Sequence, residues 1–173
     1  MNLFPVVPEA TDCVATLRMP RQPAKPAWQD RYQPPEVRAL AASMPRPQRS
    51  EFEFMRKSIL ALEHFEEHLT WRGVPWGWTI EFHADDTEPR ASAWAYLIPN
   101  PATPWLCTPL LTDIITPLLT NKKLPRTIRD GIVLGKQVRG MTWVQWTLDC
   151  RATSEEVLAV LRRKLEAGAG SLA

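Results

Sequence analysis

The chain has 173 residues, 45% of them apolar, and sets 21 Lys and Arg against 19 Asp and Glu for a net charge of +2. That length and apolar content suit one ordinary domain around one core. No run approaches the roughly 18 consecutive apolar residues of a membrane helix, and the opening Met1 to Pro8 lacks a basic segment followed by an apolar one, so the expectation is a cytoplasmic protein with no membrane partner.

More than half of the seventeen prolines fall in the first fifty residues, which show no sustained period of 3.6 or 2.0. Residues 1–49 therefore read as an extended arm without a packed fold. Within it, 34–44 could form a short helix, with Pro35 in its first turn and Pro45 beyond its end. From Ser50 to about Leu69, Phe52, Met55, Ile59, Leu62, Phe65 and Leu69 recur at helical spacing, which predicts an amphipathic helix capped by Ser50. Glu66 falls inside that apolar stripe. Either the helix has ended before it, or a carboxylate is partly buried and needs a partner.

Trp76, Trp78, Ile80 and Phe82 alternate with Gly77, Thr79, Glu81 and His83, the period of a strand with one wet face. Residues 84–89 carry turn chemistry, and 91–98 are apolar on both faces, so the pair reads as an antiparallel hairpin whose second strand is central. A third strand near 105–111 passing into a short helix follows, although Pro104, Pro109 and Pro117 interrupt the segment. A helix at 124–134 is suggested by Pro125 at its start and Gly135 at its stop. Thr142 to Asp149 alternates again, with Val144, Trp146 and Leu148 on one side and Trp143 on the other. Thr153 and Glu156 form a capping box for a last helix at 153–167, leaving 168–173 as a frayed tail. The sum is an α+β fold: an antiparallel sheet of about four strands packed against two main helices, in one domain from 50 to 167 with the proline-rich N-terminal arm outside.

Three segments in this order, Gly77-Trp-Thr-Ile-Glu-Phe82, Trp94-Ala-Tyr-Leu-Ile-Pro99 and the strand from Thr142 with its capped helix, are similar to a DUF3788-like bacterial family of unknown function. The resemblance covers about residues 70–165. It implies a compact α+β domain with an antiparallel sheet, and it carries no catalytic residues.

Several constellations bear on chemistry. His64-Phe-Glu-Glu67-His68 matches the inverted HxxEH zinc motif, which on a helix places two imidazoles one turn apart beside a carboxylate; His83 with Asp85 could complete a site in which Glu67 is the base of a zinc-dependent hydrolase. Against this, His64 and His68 would project away from the apolar stripe, as solvated residues do. Asp85, Asp86 and Glu81 read as turn chemistry rather than as an acid and base pair. Cys13, Cys107 and Cys150 are odd in number and lack ligand spacing, so three reduced thiols are expected. Seven scattered glycines form neither GxGxxG nor GxxxxGK[ST], so no cofactor is expected.

Charge is unevenly placed. Seven acids stand against Arg72 between Glu63 and Glu88, and Lys122, Lys123, Arg126, Arg129, Lys136 and Arg139 stand against Asp130 further on. The basic run, flanked by Trp143, could hold a nucleic-acid backbone while the indole stacks on a base. Eight of the fifteen aromatic residues are Trp, and Trp143 is exposed unless something covers its face. A non-enzymatic interaction or accessory protein is therefore the first expectation, with Trp143 of the sheet and Trp28 and Tyr32 of the arm binding a protein partner or a second copy.

Overall fold

The computed structural model describes residues 26–63, 65–84 and 93–170. A 3-10 turn at Ala27–Gln29 leads to a short helix, α1, at Val37–Ala42, inside the span where a helix was expected. The next helix, α2, covers Arg46–Leu60. It begins four residues before Ser50 because Pro45 and Pro47 bracket its first residue, and proline is tolerated where amide hydrogens have no intrahelical partner.

The helix expected to reach Leu69 stops at Leu60, and Phe65–Trp71 is a strand, β1. Leu62, Phe65 and Leu69 satisfy helical spacing, yet Phe65, Glu67, Leu69 and Trp71 also alternate. Pairing decided between the two: β1 lies antiparallel to β2, Trp78–Ala84, from Phe65 opposite Ala84 to Trp71 opposite Trp78. The Glu66 anomaly disappears with the helix, since on a strand Glu66 points away from Phe65 and is exposed.

The remaining strands are β3 at Ala95–Ile98, β4 at Trp105–Leu110, β5 at Lys136–Val138 and β6 at Met141–Thr147. Helices α3 at Thr112–Thr120 and α4 at Arg126–Val133 lie between β4 and β5, and α5 runs from Arg151 to Gly170. The six strands form one sheet in the order β1-β2-β3-β4-β6-β5, with every neighbouring pair antiparallel. The α+β class and the antiparallel sheet are as expected, but the described residues form six strands and five α-helices. The two strands not foreseen are the sheet's two edges.

One sheet face carries the main core. Ile80, Phe82, Leu97, Leu106, Val144 and Trp146 meet Phe52, Met55 and Ile59 of α2, Ile114 and Leu118 of α3, Ile128 and Ile132 of α4, and Val157 and Leu161 of α5. The Trp146 indole donates to the Ile128 carbonyl at 3.2 Å, so α4 is held by a polar contact as well as by packing. Buried Glu51 ties α2 to α5, accepting from the Ser154 hydroxyl at 2.8 Å and from Arg151. The last helix starts two residues earlier than the capping box suggested. Cys150 precedes it and accepts from the Ser154 amide at 3.0 Å, while Thr153 sits within the first turn.

The described part of the arm is not outside the fold. Trp28 is 6% exposed and Leu40 is fully buried, both clustered with Tyr96, Ile98 and Cys107 on the sheet face opposite the helices. Ala41 and Met44 join the main core. Gly77 makes this docking possible: its φ is +65°, and a Cβ there would stand 2.2 Å from the Trp28 carbonyl oxygen. The indole of Trp78 then donates to the Asp30 carbonyl at 2.6 Å. The arm therefore belongs to the domain from at least Ala27, because its few apolar side chains have a sheet face to cover.

Candidate functional site: an aromatic groove on the second sheet face

The face opposite the helices is built by alternation. Registers place Thr79 and Glu81 of β2, Tyr96 of β3, Trp105 and Cys107 of β4, Trp143, Gln145 and Thr147 of β6, and Lys136 of β5 on the same side. Thr79 and Glu81 were expected to face water, yet both are buried. Trp76 was expected to share a face with Ile80 and Phe82. It lies instead in the 73–77 turn, closed by the Gly77 amide on the Gly73 carbonyl at 2.6 Å, which resets the alternation and turns the indole to the opposite side.

Three rings line up on this face. Tyr96 has its centroid 5.5 Å from Trp76 and 5.5 Å from Trp143. Trp76 and Trp143 are half-buried, and both border two adjoining cavities. The larger, about 610 Å³, extends past Gln145, Thr147 and Lys136 to Asp130, Asp149 and the start of α5. The smaller, about 340 Å³, is lined by Arg72, Val74, Pro75, Trp76, Tyr96 and Trp143. Both sizes fall in the range of about 300–1,000 Å³ usual for ligand sites.

A buried polar network supports the smaller cavity. The Glu81 side chain is 4% exposed; it accepts from Nε of Arg72 and lies 3.2 Å from Nε2 of His83. Burial works against the Glu81 carboxylate, but the hydrogen bonds from Arg72 and His83 outweigh it and hold its pKa below the ordinary carboxylate value. The Arg72 guanidinium stands 5.5 Å from the Tyr96 ring centroid, a cation–π contact. The Tyr96 hydroxyl accepts from the Ala93 amide at 3.0 Å, and burial pushes its pKa up. Cys107 is buried beneath this face, and burial pushes its thiol up to about 12, which removes it as a nucleophile.

A second titratable group lies on the helix side. Nζ of Lys164 donates to the carbonyl of Trp94 and to the hydroxyl of Thr108, the latter at 2.7 Å, and stands 4.8 Å from the Trp94 ring centroid. Burial pulls its pKa down to about 7. The cavities described above lie on the other side of the sheet.

The expected site residues are distributed as follows. Trp143 is in the groove. Trp28, in the arm, is packed against the sheet and 6% exposed, while Tyr32, 87% exposed, stands in solvent. His68 and His83 lie on adjacent strands with ring centroids 5.4 Å apart, and His64 and Asp85 are outside the described residues. The helix that the HxxEH reading requires is absent from 65–71. As a strand neighbour of His68, Glu67 points to the opposite face and is ion-paired with Arg56 of α2. Among the described residues no group of three or more His, Cys, Asp or Glu is placed to hold a metal.

In the basic run, Arg129 donates to the carbonyls of Leu119 and Asn121, both at 3.0 Å, and so closes the end of α3; Arg126 pairs with Asp130. Lys122, Lys123, Lys136 and Arg139 are exposed, and Lys136 alone borders the groove, opposite Trp143 in the ladder. Among the described residues no helix is long and apolar enough to cross a membrane.

Arg72, Trp76, Glu81 and Tyr96 were not foreseen as site residues. The one available signal was Arg72, the single base in an acidic stretch, followed by the glycines of Arg72-Gly-Val-Pro-Trp-Gly. No family model and no curated protein matches the chain, so what the groove does rests on its geometry.

Proposed function

We propose that this protein is a non-enzymatic interaction module that binds a segment of a protein partner along the Trp76–Tyr96–Trp143 groove. The observation that carries the reading is the row of three rings on a sheet face where the arm covers one part and the indoles of Trp76 and Trp143 border open cavities. Exposed aromatic surface rimmed by polar groups favours contact with another chain. The groove walls offer Gln145, Thr147 and Lys136 as adaptable hydrogen-bonding groups around an apolar floor. Among the described residues, the thiol on this face, Cys107, is suppressed by burial, which supports binding over covalent chemistry.

A benzophenone amino acid at exposed position 145 tests this in cells. Adducts of discrete mass are expected, and they should vanish when Trp143→Ala is added to a chain that remains folded. Adducts insensitive to Trp143, or none at all, would remove the proposal.

Nucleic acid is the second reading, favoured by Lys136 standing opposite Trp143. It is weakened by Asp130 and Asp149 in the same cavity and by the internal engagement of Arg129. A mobility shift of a single-stranded oligonucleotide at low salt, lost in Trp143→Ala, would reverse the ranking.

A further inference from the structure

Resting on that reading, we infer that the cavity at Arg72 recognises the free C-terminal carboxylate of the partner segment, with its last side chain, apolar or aromatic, seated between Trp76 and Trp143.

Arg72 is held in an unusual way for a surface arginine. Its Nε is committed to buried Glu81, whose second oxygen is occupied by His83, and its plane is placed near the Tyr96 ring. The two terminal nitrogens of the guanidinium make no hydrogen bond among the described residues, although the side chain is 42% exposed and borders the cavity. A guanidinium held through Nε and in cation–π contact with Tyr96, with its terminal N–H groups unused, has already lost part of the freedom that binding a planar anion would otherwise cost it.

The remaining walls of this cavity are Val74, Pro75, Trp76, Tyr96 and Trp143. One fixed cation among apolar walls suits a singly charged carboxylate attached to an apolar body, because a phosphate dianion would leave most of its acceptors unpaired there. The choice of a chain terminus over a small free acid follows from continuity. Trp76 and Trp143 also border the larger cavity, so residues preceding the terminal one have a path along β6 towards Lys136 and Gln145. Glu81 is a positioning residue in this arrangement, since it meets Arg72 and not the ligand.

The test titrates the full chain with a tetrapeptide ending in phenylalanine with a free carboxylate, the same peptide amidated, and 3-phenylpropionate, followed by tryptophan fluorescence and calorimetry. The free peptide should bind, and amidation should weaken it at least tenfold. Arg72→Gln should abolish the preference for acid over amide; because this leaves Glu81 buried without its partner, Arg72→Gln combined with Glu81→Gln provides a neutral pair for comparison and should show the same loss. Arg72→Lys should restore part of the preference. Glu81→Gln alone should shrink it while apolar affinity persists, which simple damage to the fold would not do.

Equal binding of acid and amide, or no binding of either at millimolar concentration, overturns the inference. Phenylpropionate binding as tightly as the peptide overturns the assignment to a chain terminus. In each case position-145 adducts that depend on Trp143 would leave the interaction reading standing, so the two failures are distinguishable.

Discussion

Glu81 shows how a residue that reads as the wet side of a strand becomes part of the interior. Its neighbours Ile80 and Phe82 are fully buried on the helix side, and its own side chain is 4% exposed with Tyr96 opposite on the next strand, so the carboxylate survives only through Arg72 and His83. Its folded pKa is depressed, so its contribution to stability is present above the unfolded carboxylate value and lost as pH falls through the folded one. Urea unfolding measured from pH 6 down to pH 3 should show a steeper loss for the wild-type chain than for Glu81→Gln; parallel curves would contradict the assignment. Lys164 gives a slope of the same sign from the opposite cause, because burial disfavours its charged form. Its folded pKa of about 7 lies below the ordinary lysine value, so the unfolded state binds more protons between them and stability should rise as pH increases from about 7 towards 10. Lys164→Met should flatten that rise in denaturant titrations at pH 7 and pH 9.5.

Elements were legible where the pattern was local and unambiguous. Val144, Trp146 and Leu148 alternate, and β6 forms with all three buried. Pro125 and Gly135 bracket α4 as expected. The apolar spacing from Leu62 to Leu69 serves a helix and a strand alike, and only pairing with β2 distinguishes them. The short edge strand β5 has three exposed residues and therefore no burial pattern to read. The arm passes closely over one backbone position, Gly77. Gly77→Ala combines a residue that tolerates positive φ poorly, at a cost of about 1–3 kcal/mol, with a methyl group aimed at the Trp28 carbonyl. The expected result is a lower melting temperature together with a shift in tryptophan emission as the arm leaves the sheet. Unchanged emission would mean that the arm does not depend on this contact.

The whole molecule is a sheet with unequal covers. Among the described residues four helices shield one face, and Trp28 and Leu40 of the arm shield part of the other, leaving the groove open beside them. The described part of the arm is thus packed into the fold, where an arm draped outside the domain was expected. A chain beginning at Pro45 loses Trp28 and Leu40, each contributing about 1.5–3 kcal/mol or more by burial, and exposes Tyr96 and Ile98. Such a truncation should be severely destabilised or aggregate, as read by thermal melting and light scattering; a melting temperature equal to that of the full chain would show the arm to be dispensable.

By itself the sequence determined the class of the fold, the strands around Ile80 and Val144 and the placing of Trp143 on the face opposite Val144 and Trp146, because these depend on periodicity within a few residues. Which face Trp76 joins, whether 65–71 coils or pairs, and the meeting of Arg72 with Glu81 and Tyr96 were decided only in three dimensions. Each of these is a competition between local arrangements of similar free energy. The winner is set by contacts between residues far apart in the chain, such as Trp28 against Gly77 and β1 against β2.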